Sequence, residues 1–428
     1  MPMLFRRTLL AGIAALLPAL MPLSARAATE VRIMWYSDGN EGEVARDLLN
    51  RFEAANPDVK VILDNVPYKM IMETLPQLVS SGQAPDMARV TDLGGQADAY
   101  LDIGPLVKDR AYWEKNYATT LPWLRPAGNT TGIFGMMTGI TTTMPIVNET
   151  LFQQAGIPLP GPKATWQEWG VATKAVAQKT GAAIPIAIDR SGHRVSGPAI
   201  SMGAKYFDGE NPALVDDGLK TMTKLIYDWH RDGTMSKQIW GSVGGTAYRG
   251  ANEEFANGQV VLYFSGVWQF PQFAKTIGDG FDWHGVPNPC GPAACSGMPG
   301  GAALVGYKSS KHPAEVARVM DFMASEPVMA EYLARTLFLS AHAGIASKGV
   351  NYDAKTPQLQ KSLAAAQANL LNLSPVAFRL QGYLRNRIMF NALIVRLNQA
   401  IAGEMTLDEA WARMTSDVAE GMKAAGVK

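Results

Sequence analysis

Between residues 30 and 37 Val31, Ile33 and Trp35 recur every second position, the period of a strand with one buried face. Asp38-Gly39-Asn40 reads as a turn, after which Val44, Leu48, Leu49 and Phe52 fall at helical spacing until Asn56-Pro57 ends the pattern. Residues 59–63 predict a second strand. Residues 69–81 predict a second helix, bent at Pro76 and closed by Gly82, and residues 85–90 a third strand with Thr91-Asp92 at its C-terminal end. Strand and helix in alternation predict a parallel sheet covered by helices, and in such sheets ligands sit beyond the C-terminal strand ends. Residues 36–40 and 91–92 are therefore the first candidates for a site.

A second α/β stretch begins near Ile146. Residues 149–155 predict a short helix, 158–162 a proline-rich loop, and Thr165 with Glu168 a capping box over a helix at 166–179. Residues 183–188 form an apolar strand pattern that Pro185 weakens. Helices are expected at 219–231, 253–257, 313–324 and 328–334. A strongly apolar strand is expected at 259–264, running into Ser265-Gly266-Val267-Trp268. From residue 356 the period is helical, broken at Pro375, and no internal repeat, heptad run or low-complexity block interrupts the chain.

The first residues stand apart from this pattern. Arg6-Arg7, a largely apolar run over 9–23 and Ala25-Arg26-Ala27 have the layout of a secretory signal, with cleavage expected after Ala27. The run carries Pro18 and Pro22 and is short for a membrane span, and the segment around Arg6-Arg7 also fits twin-arginine export. Cleavage takes the formal charge of the 428-residue chain from +1 to −2 by removing three arginines. That near balance argues against binding a phosphate backbone as the main task. With 47% hydrophobic and 18% charged residues, the chain has ample material for a globular core.

No catalytic spacing stands out: there is no Gly-x-Ser-x-Gly, His-Glu-x-x-His, Walker-type loop or Gly-x-Gly-x-x-Gly after a strand. The five histidines are scattered, and Asp216-Asp217 and Glu253-Glu254 are helix or turn neighbours that do not face each other. A pair of carboxylates far apart in sequence, as an exported glycoside hydrolase would use, stays open as an alternative. Cys290 and Cys295 lie in a Gly/Pro-rich loop and are expected to form a local disulfide after export; no metal and no cofactor are expected.

Several segments, in order, resemble the extracellular solute-binding proteins of carbohydrate ABC importers, the relatives of maltose-binding protein. They are Ser80-Ser81-Gly82-Gln83-Ala84-Pro85-Asp86, the stretch from Phe134 to Ile157 around Asn148-Glu149, Thr165-Trp166-Gln167-Glu168-Trp169, Phe255 to Trp268, and Gly300-Gly301-Ala302-Ala303-Leu304. Val147-Asn148 stands where the family usually has Tyr-Asn. The resemblance implies an α/β fold of two lobes, 28–138 plus 300–340 and 141–296 plus 345–428. Three crossovers are expected near 138–143, 296–300 and 340–345. It further implies a monomer in the periplasm that closes on a sugar or sugar derivative and hands it to an inner-membrane permease, with no bond made or broken.

Within that frame Trp268 is a stacking platform or a core residue, Tyr36 contacts ligand or belongs to the core, Asp38 contacts ligand or makes the turn, and Asp92 ends a strand at a ligand position. Gly300 and Gly301 give backbone access or hinge freedom. Arg379 and Tyr383, four apart, share a helix face that is either near where the family places cleft residues or on the surface. The segment Asp189-Arg190-Ser191-Gly192-His193-Arg194 is either a solvated loop or a site for an anion. In the second case Arg190, His193 and Arg194 would be its contacts, and an anionic sugar derivative or glycerol phosphodiester the alternative ligand.

Overall fold

In the computed structural model, which describes residues 27–427, two sheets share one long strand. The strands are β1 (Thr29–Trp35), β2 (Val59–Asn65), β3 (Met87–Val90), β4 (Gly135–Asn148), β5 (Ile184–Ile188), β6 (Phe207–Asp208), β7 (Asn211–Pro212), β8 (Val260–Gly266), β9 (Trp283–Gly285) and β10 (Pro299–Gly306). The main path runs β2-β1-β3-β10-β4-β8-β5, with β9 on β4 and a separate β6-β7 hairpin. β1, β2 and β3 pair in parallel, and β10 enters antiparallel between β3 and β4. Residues 135–142 of β4 face β10, whereas Thr143 to Val147 face β8, so one strand belongs to the first sheet in its first half and to the second in its last.

Val31, Ile33 and Trp35 are fully buried, as the two-residue period of β1 predicts, and the helix Glu41–Ala55 buries Val44, Leu48, Leu49 and Phe52 against the sheet. The helix predicted over 69–81 is two, Tyr68–Glu73 and Leu75–Ser80, because Pro76 sits in the first turn of the second and cannot continue the first. The capping box forms: Thr165 Oγ1 accepts from the Glu168 amide at 3.2 Å, and the Glu168 carboxylate accepts from the Thr165 amide at 2.7 Å. Pro185 is tolerated because β8 is the only full strand beside β5, whose other side makes just a single bridge from Ile186 to Met235. Residues after Asp189 do not form a loop: the helix Gly192–Ser201 starts there and carries His193 and Arg194 in its first turn.

The chain passes between the lobes within β4 and again as it enters β10. The third passage comes later than expected. His342 hydrogen-bonds Tyr112 at 2.8 Å, and Asp353 N–H donates to Ala334 O, so 342–353 stays with the first lobe. The helix Pro357–Leu371 then serves the second, where Ser362 accepts from Gly285 N–H and Asn369 from Asn288 N–H. Cys290 and Cys295 are joined, in a loop held to the neighbouring helices by Cys290 N–H donating to Ala164 O and Ala293 N–H to Ser201 O. Among the described residues no helix is long and apolar enough to cross a membrane. The expected signal segment lies outside the described residues, apart from Ala27.

Candidate ligand-binding cleft

The C-terminal ends of β1, β3, β5 and β8 meet between the lobes. From β1 come Tyr36 and Asp38. The turn after them is fixed by Gly39 N–H donating to Glu41 Oε2 at 2.7 Å and Gly42 N–H to Ser37 Oγ at 2.9 Å. Behind them Arg89 of β3, 1% exposed, donates to Tyr36 O at 2.8 Å, lies 3.6 Å from Glu41 and covers the Tyr36 ring at 4.2 Å. Asp38 is partly exposed, yet loss of water and the neighbouring Glu41 push its carboxyl up to about 7, against the pull of Arg89 and Arg194.

At the end of β3, Thr91 Oγ1 shares a 2.9 Å hydrogen bond with Tyr68 and accepts from Arg387 Nη2 at 3.3 Å. Asp92 accepts from Gly95 N–H at 3.1 Å, which folds the turn, and lies 4.0 Å from Arg387 Nε. From β5 comes Asp189, fully buried, whose carboxylate accepts from Tyr248 Oη (2.9 Å), Tyr263 Oη (2.5 Å), Ser265 Oγ (2.8 Å) and Arg194 Nε (3.3 Å). A buried charge with that many donors is compensated rather than stranded. At the end of β8 Trp268 is 8% exposed. Its six-membered ring lies so close to Gly266 that a Cβ there would fall 2.0 Å from Cζ3, and the Arg194 guanidinium covers the ring at 4.2 Å.

His193 ties these groups to the crossover strand. Its Nε2 is 3.0 Å from Pro299 O and 3.1 Å from Gln381 Oε1, and its Nδ1 is 2.8 Å from Arg194 Nη1. A guanidinium can only donate, so Nδ1 accepts and Nε2 carries the proton. Burial first, and Arg194 second, hold the ring neutral by lowering its pKa to about 3. The lobes touch across the gap: the Tyr68 and Tyr248 rings are 6.1 Å apart edge to face, and a Cβ on Gly39 would reach Pro271 at 3.3 Å. The seam is thus shut. Two surface depressions, one around 160–168 and one around 30–32, 84–86 and 309–312, share no residue with it.

Tyr36, Asp38, Asp92, Trp268, His193 and Arg194 all reach this seam. Gly300 borders it, where an added Cβ would lie 3.6 Å from His193. Gly301 answers a backbone need instead, with φ +127° and the Gly139 carbonyl 2.2 Å from where its Cβ would be. Arg190 is not available to an anion: its guanidinium donates to Ala247 O and, at 2.8 Å, to Gly245 O, pinning the 245–249 loop. Arg379 and Tyr383 do share a face, but it is the wrong one. Both clasp Phe207 of β6, at 4.0 and 5.4 Å, and Arg379 pairs with Glu210 at 3.0 Å on the second lobe's surface. Tyr68, Arg89, Tyr248 and Arg387 are not among the residues expected at the site, and Asp189 is expected only as the start of the 189–194 segment, not as a contact. Asp189 carried a usable signal, since it follows a strand just as Asp92 does. Three arginines (89, 194, 387) and four carboxylates (38, 41, 92, 189) leave the seam a formal charge of −1 when all are ionised.

No curated protein sequence matches the chain. Among solved structures, the GacH receptor of Streptomyces glaucescens, solved unliganded and with acarbose, is similar at 17% identity. The match has a TM-score of 0.74 and covers 92% of this chain and 99% of that one. An ABC transporter solute-binding protein from Thermotoga lettingae, bound to α-D-tagatose, gives 14% identity and a TM-score of 0.76 over 92% and 100%. The sugar-binding protein MalE of Xanthomonas citri gives 20% and 0.66 over 93% and 98%. At these identities the likeness is one of fold. Residues 36–330 match the family described as bacterial extracellular solute-binding protein, and they include the β1, β3, β5 and β8 ends that build the seam. The chain belongs to that family.

Proposed function

We propose that this protein is the periplasmic receptor of an ABC importer, a monomer that closes its two lobes on a neutral, polyhydroxylated molecule and presents it, chemically unchanged, to an inner-membrane permease. The observation that carries the reading is the meeting of Asp38, Asp92, Asp189 and Trp268, each from the end of a different strand, with Arg194 and Arg387 in one interlobe seam. Carboxylates and guanidinium groups that already balance one another offer acceptors and donors to hydroxyls without demanding a charged guest. A seam whose formal charge lies between −1 and 0 as Asp38 titrates, with no net positive charge to spare and with Arg190 held by loop carbonyls, favours a neutral ligand over the anionic one.

The test is a thermal-shift panel of hexoses, hexitols, uronates and sugar phosphates on protein refolded free of ligand, followed by mass spectrometry of the bound compound. A ligand at 100 times its Kd adds about 2.7 kcal/mol and raises the melting point. Intact recovery of a neutral compound supports the reading. Recovery of cleavage products would establish the hydrolase instead, and a panel in which anions alone raise the melting point would establish the anionic alternative.

A further inference from the structure

The aromatic surfaces of the seam are largely taken up by the protein itself. The Trp268 ring packs against Gly266 and carries the Arg194 guanidinium at 4.2 Å. Tyr36 is covered by Arg89 at 4.2 Å and packed by a tilted Tyr68 at 4.9 Å, and the Tyr68 and Tyr248 rings meet edge to face at 6.1 Å. Tyr248 keeps 40% of its surface exposed, enough to meet a single ring. An extended saccharide needs a row of open faces, one for each sugar unit, because its affinity grows with apolar area stacked on indole and phenol rings. A compact polyol needs directed donors and acceptors, and here these come from Asp38, Asp92, Arg194 and Arg387.

Resting on the receptor reading above, we infer that the ligand is compact, a monosaccharide or open-chain polyol rather than an oligosaccharide, and that Arg194 sets this preference. The arginine occupies the place over Trp268 where a sugar unit would stack, and it presents a planar set of N–H donors there instead. Three contacts hold it in place: Asp189 accepts from Nε at 3.3 Å, His193 Nδ1 accepts from Nη1 at 2.8 Å, and the indole lies beneath. His193 in turn is anchored by Pro299 O at the start of β10, so the arginine is positioned from the crossover strand. His193 is a positioning residue, and Arg194 the residue the ligand meets.

The experiment measures, by calorimetry on ligand-free protein, affinities for D-glucose, D-mannose, D-mannitol and myo-inositol against maltotriose and mannotriose, in the wild type, Arg194→Ala and Arg194→Met. The readout is the ratio of compact to trisaccharide affinity, which a general loss of folding does not shift in one direction. The wild type is expected to prefer a compact compound by about tenfold or more. Arg194→Ala uncovers the indole and is expected to weaken the compact ligand roughly tenfold while strengthening a trisaccharide. Arg194→Met keeps the ring covered but removes the donors, and is expected to weaken the compact ligand without that gain; it also carries the test if the alanine variant does not fold. A wild type that binds a trisaccharide more tightly than every compact compound would overturn this inference and leave the receptor reading standing. Equal ratios in the wild type and in whichever variants fold would overturn the role of Arg194. Failure of every compound in the set would remove the carbohydrate reading itself, and this inference with it.

Discussion

Protonation of Asp38 and closure of the lobes are linked, and Asp38→Asn separates them. With the seam shut, the Asp38 carboxyl sits at about 7 instead of its ordinary 3.8, raised first by loss of water, then by Glu41 and Asp189, and lowered by Arg89 and Arg194. Opening returns water to it. At about 1.36 kcal/mol per pKa unit the difference is worth about 4 kcal/mol in full. Asp38 keeps part of its surface in water, so screening reduces this to roughly 1–2 kcal/mol, or about a 5- to 30-fold change in the closed-to-open ratio. The sign follows from which form holds the proton more tightly. The closed form does, so closure is favoured below about pH 4, weakens as pH rises toward 7, and levels off above it. Spin labels on cysteines replacing Glu43 in the first lobe and Lys224 in the second, both exposed, would read the interlobe distance, since the native cysteines are bonded to each other. The shorter distance should be more populated at pH 5 than at pH 8, and Asp38→Asn should remove the dependence. A closed fraction that grows with pH, or an asparagine variant with the wild-type slope, refutes the reasoning.

Three further outcomes rest on single contacts. Asp189→Ala strands Arg194, whose side chain is 15% exposed, and removes the acceptor for three hydroxyls. Breaking a buried pair costs about 3–5 kcal/mol, so calorimetry should show a melting point at least roughly 5 °C lower, and an unchanged one would show that Asp189 carries no such weight. Gly301→Ala meets a φ of +127° and the Gly139 carbonyl, and should cost about 1–3 kcal/mol in a denaturant titration, whereas Gly161→Ala, with open space around it, should be neutral; equal effects would contradict the backbone argument. Replacing Cys290 and Cys295 by alanine opens a loop of sequence separation 5, worth about 2 kcal/mol. The melting point should fall by at most roughly 8 °C with ligand affinity unchanged, and a lost affinity would mean that the loop reaches the seam.

Which parts of the seam a reader of the sequence can find depends on how far the cause lies from the residue. Asp38, Asp92 and Trp268 follow apolar strand patterns, and in an α/β sheet a strand's C-terminal end faces the ligand side, so local periodicity is enough to place them. Asp189 obeys the same rule after β5, but the polar run Arg190-Ser191-Gly192-His193-Arg194 disguises a helix start as a loop: Ser and Gly are turn residues too, and the helix buries its face against residues far away in the chain. Tyr68, Tyr248 and Arg387 carry no local mark, because what makes them a site is the meeting of Thr91 with Tyr68 and Arg387, and of Asp189 with Tyr248, across as many as 296 positions. Arg379 and Tyr383 show the limit from the other side. Spacing of four states that two side chains share a helix face, and they do, on Phe207; it does not state which face the rest of the protein leaves to the ligand. Arg194 joins both kinds of information. Its place after β5 is local, but its role is set by Trp268 and Pro299, which come from β8 and the crossover, so the chemistry offered to a ligand is decided where the chain passes between its two lobes.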